Sequence, residues 1–347
     1  MKAENSVLIK NIYYMLAYAY KALRRDGFEK VAAESFDNIH DLFAAILIKG
    51  IEYQIKQGLT KEYVKSCRLQ KTLRGKIDIA GTVGQMTKRS KQLSCVYGVL
   101  TEDNLFNRIL KSAVILLLNH GEVKHENKIA LKKLLPLLSN VCDIKPLEIN
   151  WSLLSYRKGN ASYQMLIYLC RLLFEGMIIS HDGRVKLAKF LDGQHLCDLY
   201  ETFVRAYYER HYPQLNPRAA YVAWALDDKQ DMFLPGMYTD TMLESSDKVL
   251  IIDTKCYRRI LTQQYDKKSV CSANLYQIYA YVKNKTAVTD KAVSGMLLYA
   301  KTDEDITPNF VYSMGGNKIF VRTLNLNCEF EKIKEQLDKI VAENFTA

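Results

Sequence analysis

Several features are missing from this 347-residue chain, and each absence removes a class of function. No window approaches the roughly 18 uninterrupted apolar residues of a membrane helix. The N-terminal "MKAENSVLIKNIYY" lacks a signal peptide's apolar stretch and small-residue cleavage site. A soluble, intracellular protein is expected. The eight cysteines, at 67, 95, 142, 170, 197, 256, 271 and 328, include no Cys-x-x-Cys pair. Zinc sites and small disulfide scaffolds need closer, patterned spacing. Several of these cysteines sit in apolar segments, where the thiol acts as a small hydrophobe, so reduced structural thiols are expected. No GxxxxGK[ST] loop occurs, and "SMGGNK" at 313–318 lacks both the spacing and the hydroxyl after its lysine. Nucleotide binding by that route is excluded, and any motor must be a partner. Internal repeats and low-complexity tracts are absent as well.

What is present is enough for two domains: the length exceeds one typical domain, and 48% hydrophobic residues suffice for packed cores. Charge is uneven. Residues 1–150 carry 24 Lys and Arg against 15 Asp and Glu, whereas the remainder carries 25 against 23. Between Lys61 and Lys91 there are nine basic residues and two acidic ones. Such a cluster suits a polyanion or an acidic protein partner, and equally a solvated basic face.

Periodicity sets out the organisation. Ile12, Leu16, Ala19 and Leu23 predict a helix over 9–23, and Ile39, Phe43, Ile46, Gly50 and Tyr53 predict a second, with Ser35 or Asp37 as its N-cap. Short alternating runs between about 61 and 102 predict a small β-structure, basic at its edges. Helices follow at 104–120 and 127–141, the latter kinked or ended by Pro136. The polar segment 143–162, with Pro146 and Gly159, is the linker candidate, dividing the chain into domains at 1–150 and 160–347. Helices at 163–178 and 196–212 open the second half. "MFLPGMYTDTML", "KVLIIDTKCY", "VSGMLLYA", "NFVYSM" and "NKIFVRTLNL" read as strands, with helices at 272–284 and 330–344. The expected fold class is mixed α+β and α/β: an N-terminal helical domain with a small β-structure, then a mixed sheet flanked by helices.

One strand carries charge where its apolar run ends. In "VLIIDTKCY" (249–257), Asp253 and Lys255 are two apart and leave the same face of the strand. Asp240 lies on the preceding strand, before the turn "ESSDK", and the hairpin pairs position 240 with 252, give or take one residue. Two carboxylates and one ammonium therefore converge. The carboxylates can share a hard divalent cation, and Mg²⁺ prefers one or two protein carboxylates plus waters and phosphate oxygens. A metal polarises a phosphate and lowers the pKa of its bound water, and the lysine would orient that water or offset developing charge. These are the elements phosphodiester hydrolysis needs. A structural ion pair of Lys255 with Asp253 or Asp240 is the alternative that D-x-K alone leaves open.

The wider order, "PGMYTD" then "DTK" then a helix with Gln277 and Tyr281 four apart, resembles the PD-(D/E)xK nuclease core, especially its Q-x3-Y branch. That resemblance implies that Gln277 positions the lysine or the DNA with Tyr281 beside it; an ordinary half-buried helix face is the alternative. It also implies a glutamate on the helix before the hairpin, for which Glu201 in "LYETFVRAY" is the candidate against a solvated helix acid.

The likeness extends along nearly the whole chain. "VLIKNIYYMLAYAY", "LRGKIDIAGT" (73–82), "LTEDNLFNRILKSAVILLL" (100–118), "LYETFVRAYY", "LPGMYTDTML", "VLIIDTKCY" and "NLYQIYAYV" occur in the order seen in McrC, and the chain resembles that family. McrC is the nuclease subunit of the McrBC modification-dependent restriction system. The resemblance implies a C-terminal PD-(D/E)xK endonuclease domain with Asp240, Asp253 and Lys255 at its catalytic positions. It implies Mg²⁺ as cofactor, held by Asp240, Asp253 and Glu201. It further implies a cytoplasmic bacterial or archaeal protein whose N-terminal domain enters the pore of a hexameric AAA+ GTPase, McrB, and stimulates it. That partner, not this chain, would recognise 5-methylcytosine in double-stranded DNA. The basic region 61–91 lies in the part expected to reach the partner, with acidic pore loops or DNA as contacts. Thr241 after Asp240 and Cys256 after Lys255 depart from the usual pattern without removing a ligand. Two other functions remain open: a non-enzymatic activator with a vestigial nuclease site, and a stand-alone nuclease acting on DNA ends.

Overall fold

A computed structural model describes residues 2–20, 36, 38–88, 90–157, 159–178, 194–228, 232–256, 261–264, 267–301 and 307–345. It divides into two compact units, Met1–Leu42 with Glu175–Ala347, and Phe43–Phe174. This departs from the division near 150–160 for two physical reasons. Helix α1 (Lys2–Ala19) packs with the C-terminal elements, its Asn11 side chain donating to the carbonyls of Leu326 and Cys328 at 2.7 and 2.8 Å. The polar segment 143–162 is no spacer. It forms short 3₁₀ turns packed within the second unit, where Ile149 is buried and Lys111 pairs with the Asp143 carboxylate at 2.8 Å.

The unit boundary falls inside α2 (Ile39–Gln57), whose first turn is capped by Asn38, Oδ1 accepting from the Asp41 amide at 2.8 Å. The caps expected at Ser35 and Asp37 lie outside the described residues. In the second unit β1 (Glu62–Gln70), β2 (Lys76–Ile77) and β3 (Leu93–Thr101) form an antiparallel sheet in the order β1-β3-β2. The turn before β2 depends on Gly75 at φ +74°, where a Cβ would lie 2.5 Å from the Val96 carbonyl. Between β2 and β3 sits a helix the sequence pattern did not suggest, α3 (Ile79–Thr87). Asp78 caps it, accepting from the Gly81 amide at 3.2 Å and the Ser94 hydroxyl at 2.9 Å. Two glycines in nine residues hide α3 from propensity, and the cap supplies what propensity lacks. Helix α4 (Leu105–Asn119) is capped by Asn104; α5 (His125–Leu134) ends two residues before Pro136, as expected; α6 (Gln164–Ile178) closes the unit.

The other unit runs α7 (Gln194–His211), β4 (Arg218–Val222), β5 (Met237–Glu244), β6 (Lys248–Lys255), a β7–β8 hairpin (Leu261–Gln264, Lys267–Val270), α8 (Ser272–Thr286), β9 (Ala292–Ala300), β10 (Phe310–Met314), β11 (Asn317–Leu324) and α9 (Phe330–Phe345). Its sheet has the order β10-β11-β9-β6-β5-β4, with β9 parallel to both β6 and β11 and the other pairs antiparallel. The fold class is thus the expected one, a C-terminal mixed sheet flanked by helices. "SMGGNK" is a hairpin: Gly315 and Gly316, at φ +56° and +86°, form the two-residue turn between β10 and β11. Strand β6 is buried on both faces. Val249 and Ile251 join the cluster under α8 with Ile278, Tyr281 and Val282, while α7 and α9 also pack against β6. None of the eight cysteines forms a disulfide. Among the described residues no helix is long and apolar enough to cross a membrane.

Candidate active site

The site begins with strand alternation. Val249, Ile251, Asp253 and Lys255 share the face of β6 that α8 covers, so two apolar residues under the helix are followed by two charged ones near its first turns. Asp253 is 1% exposed. Lys255 Nζ lies 2.6 Å from Asp253 Oδ2, so the buried carboxylate is paired with the ammonium two residues along. Lys255 also donates to Gln277 Oε1 at 3.0 Å, and Gln277 Nε2 donates to the Tyr281 hydroxyl at 3.0 Å. The 3.6-residue period of α8 stacks Gln277 and Tyr281 on one face, so the helix holds the lysine through a two-link relay.

Asp240 arrives from β5. The ladder runs from Glu244↔Val249 to Thr241↔Ile252, which places position 240 opposite 253, one step beyond the last pair and inside the expected margin. There β5 slips against its other neighbour: Arg218 pairs with Met242 and Ala220 with Thr239, so three residues of β5 span two of β4. Asp240 Oδ2 accepts from both the amide and the hydroxyl of Thr254, each at 2.7 Å.

Glu201 arrives from α7. Its Oε1 is 3.1 Å from Arg205 NH1, one turn along, and the same guanidinium nitrogen donates to the Asp240 carbonyl at 2.7 Å. Arg205 therefore ties α7 to β5 at Asp240. The three acids sense one another. Burial pushes the Asp253 carboxyl up to about 6; Lys255 opposes this, while Asp240 and Glu201 add to it. Burial, then the charge of Asp240, also raises Glu201 above the ordinary carboxylate range, with Arg205 opposing.

All five residues expected from the sequence, Asp240, Asp253, Lys255, Gln277 and Glu201, thus meet in one region, with Tyr281 behind them. Two partners escaped the sequence reading. Arg205 had a signal, the Glu-x3-Arg spacing on a helix. Thr254 had none, because its role depends on the slip in β5.

The donor set is oxygen-rich and acidic. Carboxylate oxygens with no thiol or imidazole among them suit a hard divalent cation rather than a softer one, but the oxygens of Asp240, Asp253 and Glu201 do not all lie within 4.8 Å of one another in this structure.

Comparison with known proteins bears on this geometry. The profile of the family described as "McrBC 5-methylcytosine restriction system component" matches residues 2–300. The chain is 26% identical over 340 residues to the Type IV methyl-directed restriction enzyme EcoKMcrBC of Escherichia coli K12, covering 96% of this chain and 97% of that protein. Among solved structures it is similar to a half-complex from a tetradecameric assembly of Thermococcus gammatolerans McrB AAA+ hexamers with bound McrC. The match covers 96% of this chain and 75% of that one, at 16% identity and a TM-score of 0.49. A second likeness, to the Thermococcus gammatolerans McrBC complex, covers 60% and 59% of the two chains at 18% identity and a TM-score of 0.40. With its family profile matched across most of its length, the chain belongs to the McrBC 5-methylcytosine restriction system component family.

Proposed function

We propose that the chain is the McrC-type nuclease subunit of a modification-dependent restriction system, a Mg²⁺-dependent PD-(D/E)xK endonuclease acting on double-stranded DNA in the cytoplasm. The observation that carries the reading is the buried Asp253 carboxylate, whose ionisation the charges of Asp240 and Glu201 oppose and which is paired with a lysine that α8 holds in place. Asp253, Asp240 and Glu201 would hold the cation. When bound, Mg²⁺ supplies charge to the attacked phosphate and a more acidic water.

The protein's own groups do the rest. Lys255, one face of its ammonium taken by Asp253 and another by Gln277, is fixed as a donor at the site's mouth. It orients the attacking water and offsets charge as the phosphorus becomes five-coordinate. Gln277 and Tyr281 act through Lys255, removing rotamers that would lift it away. Arg205 fixes Glu201 and the Asp240 backbone together, so two candidate ligands from different elements keep their spacing.

The other half of the reading concerns a partner. The E. coli relative is an McrBC enzyme, and the solved assemblies join McrB AAA+ hexamers to McrC. A McrB-like hexameric AAA+ GTPase that recognises methylated cytosine fits here, since the chain has no P-loop of its own. The small β-structure offers a surface for it. On α3, Ile79, Val83 and Met86 are 74, 53 and 67% exposed at helical spacing, an outward apolar stripe among exposed basic residues.

The test is cleavage of methylated DNA by the full chain with its GTPase partner, GTP and Mg²⁺. Asp253→Ala and Lys255→Ala are expected to abolish cutting while still stimulating GTP hydrolysis. Undiminished cutting by either variant overturns the nuclease reading. Stimulated hydrolysis without cutting by the unaltered chain would favour a non-enzymatic activator.

A further inference from the structure

The middle residue of Asp253-Thr254-Lys255 is the one neither charge nor periodicity would single out. In a regular hairpin Asp240 and Asp253 would stand face to face, and like charges directly opposite on paired strands repel. The slip in β5 and the end of the ladder at Thr241↔Ile252 let Asp240 turn towards the next residue instead. There Thr254 meets a single oxygen, Oδ2, with two donors, its amide and its hydroxyl, each at 2.7 Å. Among the described residues no donor reaches the other oxygen, Oδ1. One oxygen is thus fully engaged by protein and the second is left with its lone pairs.

We propose that Thr254 is a positioning residue for the divalent cation: its hydroxyl fixes the Asp240 carboxylate so that Oδ1 is presented as a ligand beside Asp253. The inference rests on the metal-site reading above and adds a residue to it. The amide alone gives one bond about which the carboxylate still turns; the hydroxyl supplies the second and removes that freedom. A group that orients a metal-ligating carboxylate typically changes metal affinity by about 10- to 100-fold when removed. Serine keeps the hydroxyl and loses only a methyl group, whereas valine keeps the shape and loses the hydroxyl.

Mn²⁺ binding to the full chain, without DNA, is measured by isothermal titration calorimetry for the unaltered protein, Thr254→Val, Thr254→Ser and Asp253→Asn. A second hydroxyl-free variant, Thr254→Ala, stands in should valine disturb the strand; thermal unfolding in chelator confirms that each is folded. Thr254→Val or Thr254→Ala is expected to bind about 10-fold more weakly or worse, Thr254→Ser within roughly twofold, and Asp253→Asn not at all. In cleavage assays with the partner, the hydroxyl-free variants need more Mg²⁺ for half-maximal rate yet approach the unaltered rate at saturation, a split that a merely structural residue would not produce. Normal Mn²⁺ affinity in both hydroxyl-free variants, with binding still lost in Asp253→Asn, overturns the role of Thr254 and leaves the metal site standing. If the unaltered chain shows no Mn²⁺ binding that Asp253→Asn removes, the metal site itself fails and this inference with it.

Discussion

Replacing Asp253 by asparagine should make the metal-free protein more stable at neutral pH, while destroying the site. The magnitude follows from burial. The carboxyl is 1% exposed and its pKa stands at about 6, against an ordinary value of 3.8. A difference of about two pH units is worth about 3 kcal/mol between the protonated and ionised forms. The sign follows from where the proton binds more tightly. The folded chain holds it better than the unfolded chain, so this stability is fully present below about pH 4 and is lost as pH rises through about 6. Asparagine imitates the protonated acid at every pH, so the altered pairing with Lys255 is already contained in that figure. The two proteins should therefore be about equally stable near pH 4, and the variant ahead by about 3 kcal/mol at pH 8. For a folding unit of some 200 residues this is roughly 6–12 °C in midpoint. Thermal unfolding followed by circular dichroism in chelator, from pH 4.5 to 8, measures it. Adding Mg²⁺ or Mn²⁺ should then raise the unaltered protein alone. A gap that does not widen with pH, or a variant less stable at pH 8, would refute the argument.

Three further outcomes follow from packing and exposure. Thr241 is 0% exposed and its hydroxyl has no hydrogen-bond partner among the described residues, so Thr241→Val should stabilise by about 1 kcal/mol in urea unfolding; a loss of stability would contradict this. A Cβ on Gly295 would lie 2.7 and 2.8 Å from Val282 and Ile278 of α8, so Gly295→Ala should destabilise by about 1–3 kcal/mol, and unchanged urea unfolding would refute the close approach. Serine at Ile79, Val83 and Met86 together should leave the fold intact by circular dichroism while weakening co-elution with the GTPase partner; undiminished co-elution would remove the stripe from the interface.

Much of this is legible in the sequence. The helices at 104–120, 163–178, 196–212, 272–284 and 330–344 declared themselves by apolar spacing, and the structure places each within a few residues of its expected bounds. The convergence of Asp240, Asp253 and Lys255 needed only a hairpin and a period of two. Elements whose stability is tertiary were not legible. Strand β4 is five residues, "RAAYV", with Tyr221 exposed at 58%, and nothing local separates it from loop. Helix α3 contains Gly81 and Gly84 and turns its apolar residues outward, so its pattern misleads twice. The β5 slip is invisible because "MYTDTMLE" alternates acceptably in either register, and the Thr254 contact depends on that slip. The linker misled for the opposite reason: 143–162 is polar because it is short turns at a surface, and that composition says nothing about where compactness ends.

The site and the core also share their supports, which bears on how such a site can persist. Burying the Asp253 carboxylate works against folding, and so does the hydroxyl of Thr241 on the next strand, which has no hydrogen-bond partner among the described residues. Both sit among strands whose other residues, Leu250, Ile251, Ile252 and Leu243, are 0–1% exposed, a packing that can absorb a few kcal/mol. The relay that holds Lys255 exists only when α8 lies close on the sheet, and that approach requires the missing side chain at Gly295. Arg205 likewise reaches Asp240 only when α7 is docked. Lys255 and the Asp240 backbone are therefore each held by a helix whose docking is driven by apolar burial, not by the charges themselves. Core formation and site assembly become one event, and weakening the seat of α8 should loosen Lys255 before it unfolds the chain.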